Sequence, residues 1–343
     1  MASLSVSWFC MMLFLLTSSA LAQTQGDDDD YDDAFTPEPS PSDDGSPAPV
    51  ANDMEAPAPA PVPEAPSSGE ERRALVPALF AFGDSLIDSG NNNRLFSFAK
   101  ANYLPYGIDF GGPTGRFSNA YTILDQIGDL LGLPLLPPYS EIFNVDKMRF
   151  GVNYASAAAG ILDITGFHFV ERIPFSYQIK NFENTLKLYD LGARKFIIAG
   201  IGQMGCIPFL LAESSNGECS EMVNQMVHPF NAKLKTMTMK LNKSELPGGH
   251  FIFLDMENMF KDIFTNYKSY GFSVTDRGCC GSGKNKGEVT CLPMQTPCPN
   301  RDDYLFWDAY HPTSAVNLLL GDMAFYGGPN FTFPMNIQQL ATL

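Results

Sequence analysis

Two places in the chain carry side chains whose types and spacing suit acyl-transfer chemistry. In "ALFAFGDSLIDSGNNN", residues 78–93, an apolar run ends at Gly83 and delivers Asp84 and Ser85. In "FWDAYHPTSAVN", residues 306–317, Asp308 stands three residues before His311, and Pro312 follows. A serine hydroxyl becomes a nucleophile only beside a base, and the base needs a group to orient it. Pro312 pushes His311 into extended backbone just ahead of a helix. A short turn then lets the Asp308 carboxylate accept a hydrogen bond from the His311 ring, fixing its tautomer and stabilising imidazolium. Both stretches also have plainer readings. Ser85 could cap the following helix, as serines often do, and His311 could be a surface histidine on a structural turn. The stretch around Ser85 lacks the G-x-S-x-G elbow, so the residues alone leave both readings open. His168, His228 and His250 have no such acidic partner and read as structural or solvated.

The elements that must position these residues are legible in outline. "LVPALFAF", "RKFIIAGIG" and "HFIFLDM" are continuous apolar strands. "AYTILDQIGDLLG" has helical apolar spacing and ends at Gly132, and "SEMVNQMVHPFNAKLKTMTMKLNKSE" is an amphipathic helix between the last two strands. Uniformly apolar strands separated by helices predict an α/β fold with a parallel sheet covered on both faces. Ligands in such sheets bind beyond the carboxyl ends of the strands, where Ser85 falls. Met222, Met226, Met237 and Met239 read as helix packing. Asn91, Asn92 and Asn93 read as loop-stabilising, Arg116 as a fold-stabilising donor, and "GIGQMGCIP" as a structural turn.

Composition narrows the class. The formal charge of −16 is uneven: residues 27–71 hold 14 of the 38 acidic residues and no Lys or Arg. The remainder is nearly neutral, which gives no support to nucleic-acid binding. Residues 1–22, with the apolar run "WFCMMLFLLTSSALA", read as a signal peptide, which predicts a secreted, extracellular protein. No later segment is long and apolar enough to span a membrane. Residues 23–73 form an acidic and Pro-rich tail that cannot bury a core and reads as an extended spacer, with wall contact a lesser possibility. Residues 74–343 form the folded domain. Removing Cys10 with the signal leaves Cys206, Cys219, Cys279, Cys280, Cys291 and Cys298. An even count in an oxidising compartment predicts disulfides of open pairing rather than a zinc site. Asn242 and Asn330 head glycosylation sequons. No dinucleotide fingerprint, phosphate loop or metal cluster is present, so no cofactor is implied.

The ordered stretches "FGDSLIDSGNNN", "PTGRFSNA", "GVNYASAAAGIL", "GARKFIIAGIGQMGCIP", "DRGCCGSG", "CPNRDDYLFWDAYHPT" and "MNIQQLATL" resemble the plant secreted GDSL esterase/lipases of the SGNH hydrolase superfamily. The resemblance spans nearly everything from Leu75 to Leu343. It implies a flavodoxin-like three-layer α/β/α fold, with Ser85 as nucleophile, His311 as base and Asp308 as its orienter. The substrate it implies is an ester of a lipid or of acylated wall material. Two departures stand out. The block that usually ends in glycine, whose amide helps bind the oxyanion, reads Phe117-Ser118-Asn119-Ala120, so the implied oxyanion donors are the amides of Ser85 and Ala120. Alanine would be strained there if the position needs positive φ. The third block, G-x-N-D at the end of a central strand, belongs between "QIKNFENTL" and "LYDLGARKF", which here join almost directly at 186–188. The chain thus lacks the oxyanion asparagine and one central strand. A skipped exon, a misread gene or a degenerate paralogue would each produce this. The leading expectation is a secreted serine ester hydrolase. The alternative is a catalytically impaired or inactive secreted binding protein.

Overall fold

The computed structural model describes residues 73–343, apart from 144, 186–193 and 244–247. The signal segment, the tail up to residue 72 and the junction at 186–188 lie outside the described residues. Arg73–Leu343 forms one compact unit. In chain order it contains β1 (Leu79–Ala81), α1 (Ile123–Leu130), β2 (Gly151–Asn153), α2 (Phe175–Thr185), β3 (Lys195–Ala199), α3 (Pro208–Glu213), α4 (Glu221–Leu241), β4 (His250–Leu254), α5 (Met256–Asn266), β5 (Val274–Gly278), β6 (Tyr304–Phe306), α6 (Ser314–Tyr326), β7 (Thr332–Phe333) and α7 (Ile337–Ala341). The pairs β1–β2, β3–β4 and β5–β6 are parallel, and β7 adds to β4 antiparallel. Helices cover both faces of β4. Ile252 and Leu254 enter a core built with Ile127 of α1, Met259 and Ile263 of α5, Leu320 of α6 and Leu340 of α7. Phe253 on the opposite face meets Lys235 of α4. Alternation of this kind, helices on two sides of parallel strands, is the three-layer α/β/α arrangement.

Local chemistry explains where the elements begin. Thr122 and Asp125 form a capping box at the start of α1, and Asp125 also takes both arms of Arg116 at 2.8 and 2.9 Å. Arg116 is therefore a buried structural donor. Thr313 caps α6 through the Val316 amide while its hydroxyl donates to Tyr304 O in β6. Gly151, at φ 112°, brings β2 against the Leu79 backbone, where any Cβ would clash. The six cysteines close three disulfides: Cys206–Cys219, Cys279–Cys298 and Cys280–Cys291.

The sheet differs from one continuous parallel array. Among the described residues its strands fall into three separate sheets, and β1 and β3 share no pairing. The odd residues of β1 face β2: Leu79 N donates to Phe150 O and Tyr154 N donates to Ala81 O. The even residues of β3 face β4: His250 N donates to Arg194 O and Gly200 N donates to Leu254 O. The opposite edges, Phe80 and Phe82 on one strand and Lys195, Ile197 and Ala199 on the other, have no ladder partner among the described residues. A strand between them would pair with both, and the family resemblance implies one that this sequence does not supply. The methionines of α4 also depart from expectation. Met222, Met237 and Met239 are exposed because Val223, Val227, Asn231 and Thr238 supply the buried stripe of that helix.

Candidate active site

Ser85 follows β1 and Asp308 follows β6, so both leave the carboxyl ends of parallel strands. After β6 the chain turns sharply. The Asp308 Oδ1 atom accepts the amides of Tyr310 and His311, each at 2.8 Å, and Trp307 N closes the turn on His311 O at 2.8 Å. This Asx turn swings the imidazole back over the carboxylate that formed it. His311 Nδ1 lies 2.9 Å from both Asp308 oxygens, and His311 Nε2 lies 2.8 Å from Ser85 Oγ. With Nδ1–H donating to Asp308, the Nε2 lone pair is aimed at the serine hydroxyl. The structure thus brings together Ser85, His311 and Asp308, which are 223 residues or more apart between the first and the other two.

Asp308 is completely buried and His311 nearly so. Burial alone would raise the Asp308 carboxyl. The His311 charge and hydrogen bond, the Tyr106 hydroxyl and the Tyr310 amide outweigh it and hold the carboxyl below the ordinary value of 3.8. Asp84, next to Ser85, accepts the Leu86 amide at 3.0 Å. Burial pushes its carboxyl up, against the pull of that amide and of His311.

The Ser85 loop is held by side chains standing in for strands. Gln178 of α2 is buried, accepts Gly83 N at 3.0 Å and donates to Gly83 O at 2.8 Å. Asp88 accepts the amides of Gly90, Asn91 and Ala157 at 2.8, 2.8 and 2.9 Å, and burial pushes its carboxyl up to about 6 against those donors. Asn91 donates to Asn153 O and Ala155 O, and Asn92 donates to Ala99 O and Ala157 O. Asn93 donates to Thr114 O. All three asparagines therefore tie loops together. On the other side of the site, Phe117 lies against the His311 ring at 4.9 Å, and Asn119 Oδ1 accepts the Ser314 amide at 2.8 Å.

The two implied oxyanion amides differ in state. Ser85 N makes no hydrogen bond among the described residues, whereas Ala120 N donates to Ser118 Oγ at 3.3 Å. Among the described residues the non-glycine positions at positive φ are Ala158, Val170, Asn285, Lys286 and Met294, so Ala120 carries no such strain. Of the sequon asparagines, Asn330 is exposed, while Asn242 pairs its side-chain amide with both backbone groups of Phe251 at 2.7 and 2.8 Å. His228 is exposed against Glu257 and His168 stacks beside Phe169. Among the described residues no cluster of His, Cys, Asp or Glu is placed to hold a metal, and no helix is long and apolar enough to cross a membrane.

Sequence reasoning missed Tyr106 and Gln178. Tyr106 donates to Asp308 at 2.6 Å across 202 residues, and neither its neighbours "ANYLPYGIDF" nor its spacing marks it. The short strands β2, β5 and β6 were also unread: β2 and β5 are polar or glycine-bearing, and β6, Tyr304-Leu305-Phe306, is an apolar run of only three residues.

Comparison with known proteins places these residues in a family. The sequence profile of GDSL-like Lipase/Acylhydrolase matches residues 170–323. An Arabidopsis thaliana GDSL esterase/lipase is 50% identical over 334 aligned positions, covering 78% of this chain and 86% of its own length. A second from the same plant is 42% identical over 345 positions, covering 80% and 89%, and a third is 40% identical over 349, covering 80% and 94%. Each alignment is longer than the stretch of this chain it uses, so each relative carries dozens of residues without a counterpart here. With half its aligned positions identical across most of both chains, the protein belongs to the GDSL esterase/lipase family.

Proposed function

We propose that Ser85, His311 and Asp308 are the working triad of this carboxylic ester hydrolase. His311 Nε2 takes the Ser85 proton as Oγ attacks the acyl carbonyl. The tetrahedral oxyanion forms over the unengaged Ser85 amide, and the Ala120 amide joins it on leaving its long bond to Ser118. Collapse expels the alcohol, which leaves with the proton held by His311. Water, deprotonated by the same imidazole, then releases the acid and restores Ser85. Asp308 holds the ring and balances its charge throughout. The observation that carries this reading is the unbroken line from Ser85 Oγ at 2.8 Å to His311 Nε2, and from His311 Nδ1 at 2.9 Å to Asp308.

The substrates are esters of fatty or short acyl groups, on lipids or acylated wall components. Residues 1–22 direct secretion, 23–73 serve as a spacer, and 74–343 carry the chemistry. Asn330 stands open for a glycan, and Asn242 could take one only while keeping its bond to Phe251. No observation favours the non-catalytic alternative. Hydrolysis of p-nitrophenyl acetate by the purified chain tests the reading. Ser85→Ala should bring the rate to the uncatalysed background while leaving the melting temperature in place. Equal rates in both proteins would reject the mechanism.

A further inference from the structure

We propose that the buried hydroxyl of Tyr106 is a positioning group that sets how firmly Asp308 holds His311. The proposal rests on the Ser85–His311–Asp308 reading and extends it by one residue. Tyr106 is 2% exposed, and its ring is fixed edge-on by Tyr103 at 5.3 Å, Phe117 at 5.9 Å and Trp307 at 6.1 Å. Its hydroxyl donates to Asp308 Oδ2 at 2.6 Å, while Oδ1 takes the Tyr310 and His311 amides. Each carboxylate oxygen is thereby assigned: Oδ1 shapes the turn and Oδ2 answers to Tyr106, with the His311 ring nitrogen 2.9 Å from each. A phenol in this position does two things. It stops the carboxylate rotating about its own axis, and it draws charge away from the oxygen that the imidazolium would otherwise share.

Among the described residues, the titratable groups that act on the pair come from three segments, and Thr290 and Tyr103 also reach the Tyr106 hydroxyl. Ser85 and Asp84 face His311 from the loop after β1. Tyr103, Tyr106 and Tyr310 surround Asp308. Tyr103 gives its hydroxyl to Cys291 O at 2.9 Å, which leaves Tyr106 as the phenol bonded to the carboxylate. Phe117 spans both partners, lying against Tyr106 on one side and against His311 on the other. The positioning function is thus built by residues 103–117, a segment that supplies no atom to the reaction itself.

Tyr106→Phe keeps the ring and its packing and removes only the donor. The expected result is a kcat about 10-fold lower with KM unchanged, and an acid limb of the kcat/KM profile displaced to higher pH, because the undiluted carboxylate charge holds the imidazolium proton longer. The His311 Nδ1–H proton resonance, assigned by its absence in His311→Gln, should move downfield. Tetrafluorotyrosine at position 106, a stronger donor of nearly the same shape, should move that resonance the other way and serves if Tyr106→Phe fails to fold. A resonance and acid limb unmoved in both variants, with only the melting temperature changed, would reduce Tyr106 to packing and overturn the proposal. Resonance shifts in the two variants beside a wild-type protein that hydrolyses no ester would instead overturn the triad reading and leave Tyr106's hold on Asp308 standing.

Discussion

Asp308 is asked to be a turn former, an orienter and a counter-charge at once, and its surroundings let one carboxylate do all three. Two amides bind one oxygen, a phenol binds the other, and the imidazole sits between them. Asp308→Asn keeps the shape but offers His311 an amide that can present N–H where the ring needs an acceptor. The expected loss in kcat is about 10⁴-fold, measured on a soluble ester at neutral pH. The same variant has a signature in stability. The folded carboxyl lies below its ordinary value of 3.8, so its contribution is fully present above that value and is lost as pH falls through the lower folded one. Melting temperatures taken at pH 5 and pH 3 should therefore fall less in Asp308→Asn than in the wild type; an identical drop would show that Asp308 gains nothing from its partners. At this scale much was legible. Asp308, His311 and Pro312 announce their turn by spacing alone, and Ser85 marks an abrupt end to an apolar run. Tyr106 was not legible, since a tyrosine that reaches its partner through a loop of irregular backbone leaves no periodic trace.

The long apolar strands and the amphipathic helices were readable because their signals are local: a run of β-branched and aromatic residues for β3 and β4, and helical apolar spacing closed by Gly132 for α1. Pairing is not local, and here the chain departs from a continuous sheet. The strand that leads to Ser85 is steadied on its β2 side by Ser156 N on Gly83 O, and Gln178 takes the Gly83 N–H that a longer ladder would use. The outer edges of β1 and β3 have no such substitute among the described residues. Amide hydrogen exchange should show it. Ile197 and Ala199, on the unpaired edge of β3, should exchange at least about 10-fold faster than Phe196 and Ile198, whose backbone groups face β4. Equal protection of both sets would mean that something pairs with the outer edge in solution.

For the whole molecule the question is whether a site can stand on a divided sheet. The route from Ser85 to His311 does not pass through β3. Asp88, Asn91 and Asn92 bind the nucleophile loop to residues 99 and 153–157. Tyr103 and Tyr106 carry the connection on to Cys291 and Asp308, and two disulfides brace the backbone on which Trp307 and Asp308 rest. Asn119 joins the remaining block to the start of α6. Buried hydrogen bonds between loops therefore do what a central strand would do in a continuous sheet, and the triad closes with ordinary distances. The oxyanion side is the weaker half. One free amide at Ser85 and one long-bonded amide at Ala120 stand where the family pattern has an asparagine as well, and one missing donor costs about 10²–10³ in rate. The proposed triad with this oxyanion side predicts a slow serine hydrolase. Labelling the folded protein with a fluorophosphonate and mapping the adduct by mass spectrometry tests it most directly, because phosphonylation needs the activated serine and leaves a permanent record even when turnover is slow. A single adduct on the Ser85 peptide, lost in His311→Gln, is the predicted result. A cooperatively folded wild-type protein that takes up no label at Ser85 would contradict it.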